Sequence, residues 1–155
     1  MELNFISQED FSMVTKGYSI FSRAAGVEVS GTEKSDEGKK IGTVTLRFFT
    51  FNPADSNLNF ILNPQEAFAI SRMINKITQE GGRKTVMHKF QNNGTDIITN
   101  LILEKWTRDN RVGYALAIKR GEKSINVATE ETGFLYVGEL LRALSTSQAY
   151  VETVS

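Results

Sequence analysis

Leu58-Asn59-Phe60-Ile61-Leu62-Asn63-Pro64 is the stretch on which the fold turns. Leu58, Phe60 and Leu62 alternate with Asn59 and Ile61, the two-residue period of a strand with one face buried. Past Pro64 the period changes, with Ala67, Ile70, Ile74 and Ile77 recurring at the three- and four-residue intervals of an amphipathic helix. Asn63 stands where an N-cap belongs, Pro64 at the first helical position and Glu66 three residues after the cap, so the orphan amides of a helix start are provided for. The spacing predicts a helix from about Pro64 to Thr78, ended by Gly81-Gly82.

The same programme recurs further on. Ile125-Asn126-Val127 leads into Phe134, Val137, Leu141 and Leu144 at the same helical spacing, with Thr129 as the expected N-cap and a helix from about Glu130 to at least Leu144. Ahead of the first helix, strands are predicted over Lys16 to Arg23, Gly26 to Ser30, Ile41 to Phe51 and Leu58 to Leu62. Gly31 to Lys40 is charged and free of apolar residues and reads as a mobile hairpin tip, in the first place a solvated linker, with Lys39 and Lys40 closing on a bound strand as the alternative. Asn52-Pro53-Ala54-Asp55 reads as a turn. Ahead of the second helix, strands are predicted over Arg83 to Gln91, Asp96 to Trp106, Val112 to Lys119 and Ser124 to Ala128. The turns between them fall at Asn92-Asn93-Gly94, Arg108-Asp109-Asn110 and Gly121-Glu122-Lys123.

The expected fold is therefore α+β: two tandem units of a four-stranded antiparallel sheet plus a helix, ββββα-ββββα, in one compact domain. Residues 1–12 form an N-terminal arm, and the domain spans 13–155 as repeats of about 13–80 and 81–150. Duplication is one account of the pattern. The other is a single α+β fold whose helices look alike because any sheet-covering helix does.

Composition narrows the function. At 155 residues with 40% hydrophobic content, the chain suffices for one well-buried domain. It has no cysteine, which excludes disulfides, thiolate metal sites and cysteine nucleophiles. Met1 to Asp10 lacks the basic start and apolar core of a signal peptide, and no stretch approaches the roughly 18 apolar residues of a membrane span. The expectation is an intracellular protein, cytoplasmic or nucleoid-associated, without a membrane partner.

No catalytic constellation stands out. His88 is the sole histidine and reads as a strand residue without a catalytic role. The adjacent acids Glu130-Glu131 and Asp36-Glu37 suit a helix start and a loop rather than a paired dyad, and Gly81-Gly82 closes a helix instead of opening one over a phosphate. Neither a metal, a cofactor, nor a small-molecule substrate is expected, and the chain reads as a non-enzyme.

Charge distribution says more than the zero net charge. Arg83, Lys84, Lys89, Lys105, Arg108, Arg111, Lys119, Arg120 and Lys123 face only Asp96, Glu104, Asp109 and Glu122 in the same segment. Aromatic residues are interleaved with these cations and with those of the first half. A single nucleic-acid strand uses that mixture, because cations meet phosphate and flat rings accept unpaired bases. The pairs singled out are Lys16 with Tyr18, Arg47 with Phe48 or Phe49, Lys89 with Phe90, Lys105 with Trp106, and Arg111 with Tyr114. Lys40, Arg108 and Lys119 complete the expected contact set. Strand alternation groups Arg47, Phe49 and Phe51, yet aligning the halves sets them against Tyr114, Leu116 and Ile118, which read as core. Whether Phe48 or Phe49 is exposed stays open.

Four strands then a helix, twice, with basic and aromatic strands, resembles the single-stranded nucleic-acid-binding architecture shared by Whirly proteins, positive cofactor four and ThermoDBP-like proteins. The resemblance covers about residues 14–150. Lys16-Gly17 echoes the start of the Whirly Lys-Gly-Lys-Ala-Ala-Leu strand before Tyr18-Ser19-Ile20 departs from it. It implies that the sheets form a surface for single-stranded DNA or RNA while the helices pack behind, with little sequence specificity. The competing expectation is a structural or adaptor protein, since Phe134, Leu135 and Tyr136 give the second helix more apolar surface than one buried face needs. A homo-oligomer is expected under either reading.

Overall fold

The computed structural model describes residues 17–52, 56–150 and, for the backbone, 152–154. The N-terminal arm, Lys16 and the turn residues Pro53, Ala54 and Asp55 lie outside the described residues.

The first sheet is an antiparallel meander of β1 (Tyr18–Phe21), β2 (Ala25–Asp36), β3 (Lys39–Thr50) and β4 (Asn57–Leu62). α1 (Pro64–Glu80) follows. The second sheet repeats the order with β5 (Gly82–Asn92), β6 (Thr95–Arg108), β7 (Arg111–Arg120) and β8 (Lys123–Thr129), followed by α2 (Glu131–Gln148). The expected ββββα-ββββα layout is the observed one. A short ninth strand, β9 (Glu152–Val154), pairs with the start of β3 beside Lys39, Lys40 and Ile41, and the sequence pattern did not announce it.

α1 begins as its sequence requires. The Asn63 side chain accepts from the Glu66 amide at 2.8 Å, while the Glu66 carboxylate accepts from the Asn63 amide at 3.1 Å, a reciprocal capping box. Gly81, at φ 79°, closes the other end. α2 starts one residue later than expected: Thr129 is the last residue of β8, and Glu130 occupies the N-cap without a side-chain cap bond.

Gly31 to Lys40 is not a loose tip. β2 and β3 stay paired to Asp36 and Lys39, and the chain reverses at Glu37 and Gly38, with φ of 49° and 81°. Positive φ at both turn positions matches the right-handed twist of the strands, which splays less than an ordinary turn. Hydroxyl contacts line one face at the base of this hairpin. Thr32 Oγ1 lies 2.7 Å from Thr43 Oγ1 and 2.8 Å from Thr45 Oγ1, on the face opposite the buried Val44. The same positive-φ reversal recurs at Asn93-Gly94 and Asp109-Asn110.

One core serves both sheets. Val27, Val44, Leu46, Phe48, Phe60 and Leu62 from the first sheet meet Leu101, Leu103, Leu116, Ile118 and Val127 from the second, with Ile70, Ile74, Phe134, Val137 and Leu141 from the helices between them. Each large side chain sealed in this way contributes roughly 1.5–3 kcal/mol. The helices approach closely because Gly138 has no side chain, and a Cβ there would lie 2.9 Å from Ile74. At the seam between the sheets, Arg120 and Lys123 reach across to β4, donating to the carbonyls of Asn59 at 3.1 Å and Asn57 at 3.2 Å.

Candidate nucleic-acid interface

Both helices lie on the core side of the sheets, so each sheet keeps a second, outward face. On the first sheet Phe48 is fully buried and Phe49 half-buried, which settles the open face: Arg47, Phe49 and the following Phe51 point outward. Phe21 from the end of β1 joins them. The rings of Phe21, Phe49 and Phe51 stand 5.7–6.0 Å apart, two pairs edge-on and Phe21 with Phe51 stacked. Phe21 and Phe51 are 58% and 49% exposed, a large apolar area for an outward face. Arg47 lies 4.8 Å over the Phe49 ring and 3.5 Å from the Glu28 carboxylate. Gly26, opposite Phe49, makes room for this cluster, since a Cβ there would lie 2.5 Å from Phe49 and 2.9 Å from Phe21.

On the second sheet Trp106 is the outward ring. It is half-buried against Gly113, its cross-strand partner, and the Arg108 guanidinium stands 5.3 Å over it. Arg111, opposed to Arg108, and Lys119, opposed to Asn100, extend the same face. Neither has an ionic partner among the described residues. Arg83 and Lys89 share the face but are paired, at 4.0 Å from Glu104 and 3.2 Å from Asp96. Met87 and Ile98, 59% and 43% exposed, supply further apolar surface beside them.

Several of the expected partnerships fail because adjacent strand residues point to opposite faces. Lys105 faces the core side, away from Trp106. Its ammonium donates to the Thr78 carbonyl at 2.7 Å, one of the unsatisfied carbonyls at the end of α1, and lies 5.6 Å from the Tyr114 ring. Phe90 likewise faces away from Lys89 and carries Arg120 at 5.6 Å. Tyr114 is buried on the side opposite Arg111. Tyr18 packs edge-on against Tyr136 of α2, with centroids 4.6 Å apart, which occupies part of the surplus apolar surface of that helix. Lys40 sits at the turn end of the hairpin, 4.0 Å from Glu33 and roughly 30 Å along the strand from Phe49.

Of the expected contact set, the outward faces thus bring together Arg47 with Phe49, and Trp106 with Arg108 and Arg111, while Lys119 and the paired Lys89 lie on the same face farther along the strands. Phe21 and Phe51 were absent from that set although they complete the phenylalanine cluster. His88 lies on the core side of β5, stacked on Phe60 at 4.1 Å with its Nε2 2.6 Å from the Glu66 carboxylate. Among the described residues no cluster of histidine and acidic side chains is arranged to hold a metal ion, and no helix is long and apolar enough to cross a membrane.

No family model and no curated protein matches the chain. Solved structures do. WHY1 from Arabidopsis thaliana superposes over 88% of this chain and 86% of its own, with a TM-score of 0.57 and 14% sequence identity. The plant transcriptional regulator PBF-2 superposes over 89% and 90%, with a TM-score of 0.54 and 18% identity. At these identities the likeness is one of fold: two antiparallel sheets, each followed by a helix, set around one core in the Whirly architecture.

Proposed function

We propose that this chain binds single-stranded nucleic acid, DNA first and RNA second, on the outward faces of its sheets and without catalysing a reaction. The observation that carries the reading is the Phe21-Phe49-Phe51 cluster beside Arg47, a group of exposed rings with a cation on a face that no helix covers. Trp106 with Arg108 repeats that chemistry on the second sheet, and Arg111 and Lys119 add charge for phosphates. Ring faces accept any base, so the surface tolerates many sequences, each stacked base contributing roughly 1–3 kcal/mol. The resemblance to Whirly, positive cofactor four and ThermoDBP-like proteins supports the same reading. A role on DNA also fits the structural likeness to PBF-2, a plant transcriptional regulator. Self-association accompanies this reading, with Phe68 left 46% exposed on α1.

Titration of a fluorescent oligothymidylate, followed by anisotropy across a salt series, tests the proposal. Binding should tighten as salt falls, because phosphate contacts release counterions. No measurable affinity at low salt rejects it. The adaptor reading predicts instead a protein partner that is retained after nuclease treatment.

A further inference from the structure

A pocket of about 140 Å³ opens at the seam of the two sheets, where the edge strand β4 passes the core side of β5 and β6. Phe60, His88 and Phe90 supply ring surfaces, and Asn59, Thr99 and Arg120 supply the polar groups. The walls are fixed. His88 is held between its stack on Phe60 and its contact with Glu66, while Thr99 is buried.

Arg120 is the informative residue. Its Nε donates to Thr99 Oγ1 at 2.8 Å and its Nη2 to the Asn59 carbonyl at 3.1 Å, so the guanidinium is oriented before any ligand arrives. A guanidinium has five N–H donors. The Nη1 donors and the second Nη2 donor have no partner among the described residues, and the Nη1 and Nη2 groups share the end of the planar fork. Phe90, 45% exposed, flanks them.

The volume selects the ligand. An apolar cavity of roughly 150 Å³ takes a benzene molecule, so this pocket has room for a single six-membered ring and is too small for a drug-sized ligand. The polar groups require that ring to carry two adjacent in-plane acceptors for the free donors. Cytosine presents N3 and O2 side by side. Thymine and uracil interpose an N–H between their carbonyls, and guanine has a suitable edge on a two-ring base.

We propose that the seam pocket receives one unpaired pyrimidine base, with cytosine favoured, its edge on Arg120 and its face against Phe90. This rests on the single-stranded nucleic-acid reading above and adds one base preference to an otherwise sequence-tolerant surface.

The test compares three oligonucleotides of about 15 nucleotides, within the span of one such protein surface. They are oligothymidylate, the same strand with one central cytosine, and the same strand with one central abasic site. The cytosine strand should bind at least about fivefold tighter than oligothymidylate, as a bidentate base contact allows. That ratio should fall to about one in Phe90→Ala and in Arg120→Lys, which keeps the charge but loses the fork. Because Arg120 also bridges the sheets, the ratio in Phe90→Ala decides if Arg120→Lys proves unstable. Equal binding of all three strands, or a cytosine preference that survives Phe90→Ala, overturns the pocket assignment alone. Failure of every strand to bind overturns it together with the reading on which it rests.

Discussion

Trp106 lies across Gly113, its directly opposed neighbour on β7, so closely that a Cβ at position 113 would collide with the indole. An aromatic ring laid over a glycine on an outward face restores the packing that the missing side chain forfeits. It also fixes the plane of the indole while leaving Arg108 above it. Gly113→Val should force the ring off the sheet. We expect a stability loss of about 1–3 kcal/mol, as overpacking costs, and weaker binding of single-stranded DNA at unchanged net charge. Thermal melts and anisotropy on the same preparation check both.

Removing a ring outright isolates its contribution to binding. Trp106→Ala and Phe51→Ala should each weaken single-stranded DNA binding by roughly 1–3 kcal/mol, the range for one stacked base. Circular dichroism should stay native, because neither ring belongs to the core cluster. Unchanged affinity in both variants would remove the aromatic half of the proposal.

The cations divide into two classes with different readouts. Arg108→Gln and Arg111→Gln should each lower the slope of log affinity against log salt by about 0.7, as the loss of one phosphate contact predicts for a single strand. Lys105→Met should leave that slope unchanged. It should instead lower the melting temperature, because its bond to the Thr78 carbonyl at the end of α1 goes, at a cost of roughly 1.5–3 kcal/mol for a charged donor.

The start of α1 offers a stability test independent of binding. Asn63→Ala removes one half of the capping box and should cost about 1 kcal/mol. Glu66→Ala should cost more, since the same carboxylate also meets His88 at 2.6 Å. Chemical denaturation of the two variants side by side gives the order.

How far the sequence could be read depends on the range of the interaction concerned. The start of α1 was legible because Asn63, Pro64 and Glu66 act within one turn of chain, and the helix spacing was legible because a buried face repeats along the sequence. The contact set was less so. Lys105 with Trp106 and Lys89 with Phe90 are neighbours in sequence, and the pleat sends them to opposite faces. Phe21 joins Phe49 and Phe51 only through the pairing of β1, β2 and β3, which no local pattern specifies. Gly31 to Lys40 lacks apolar residues and reads as loop, yet hydroxyl contacts and a two-residue reversal sustain a regular hairpin. β9 is too short for any period to mark it.

The grip of Arg120 and Lys123 on the Asn59 and Asn57 carbonyls reaches beyond the joining of two sheets. An outermost strand with unclaimed acceptors is a template on which another molecule can add and begin a fibril. Here long cations from elsewhere in the same polypeptide already occupy that border, so crowded copies meet a charged fringe instead of an inviting seed. β5, an edge of the second sheet, carries Arg83, Lys84 and Lys89 along its length, long charged side chains that interrupt edge-to-edge pairing.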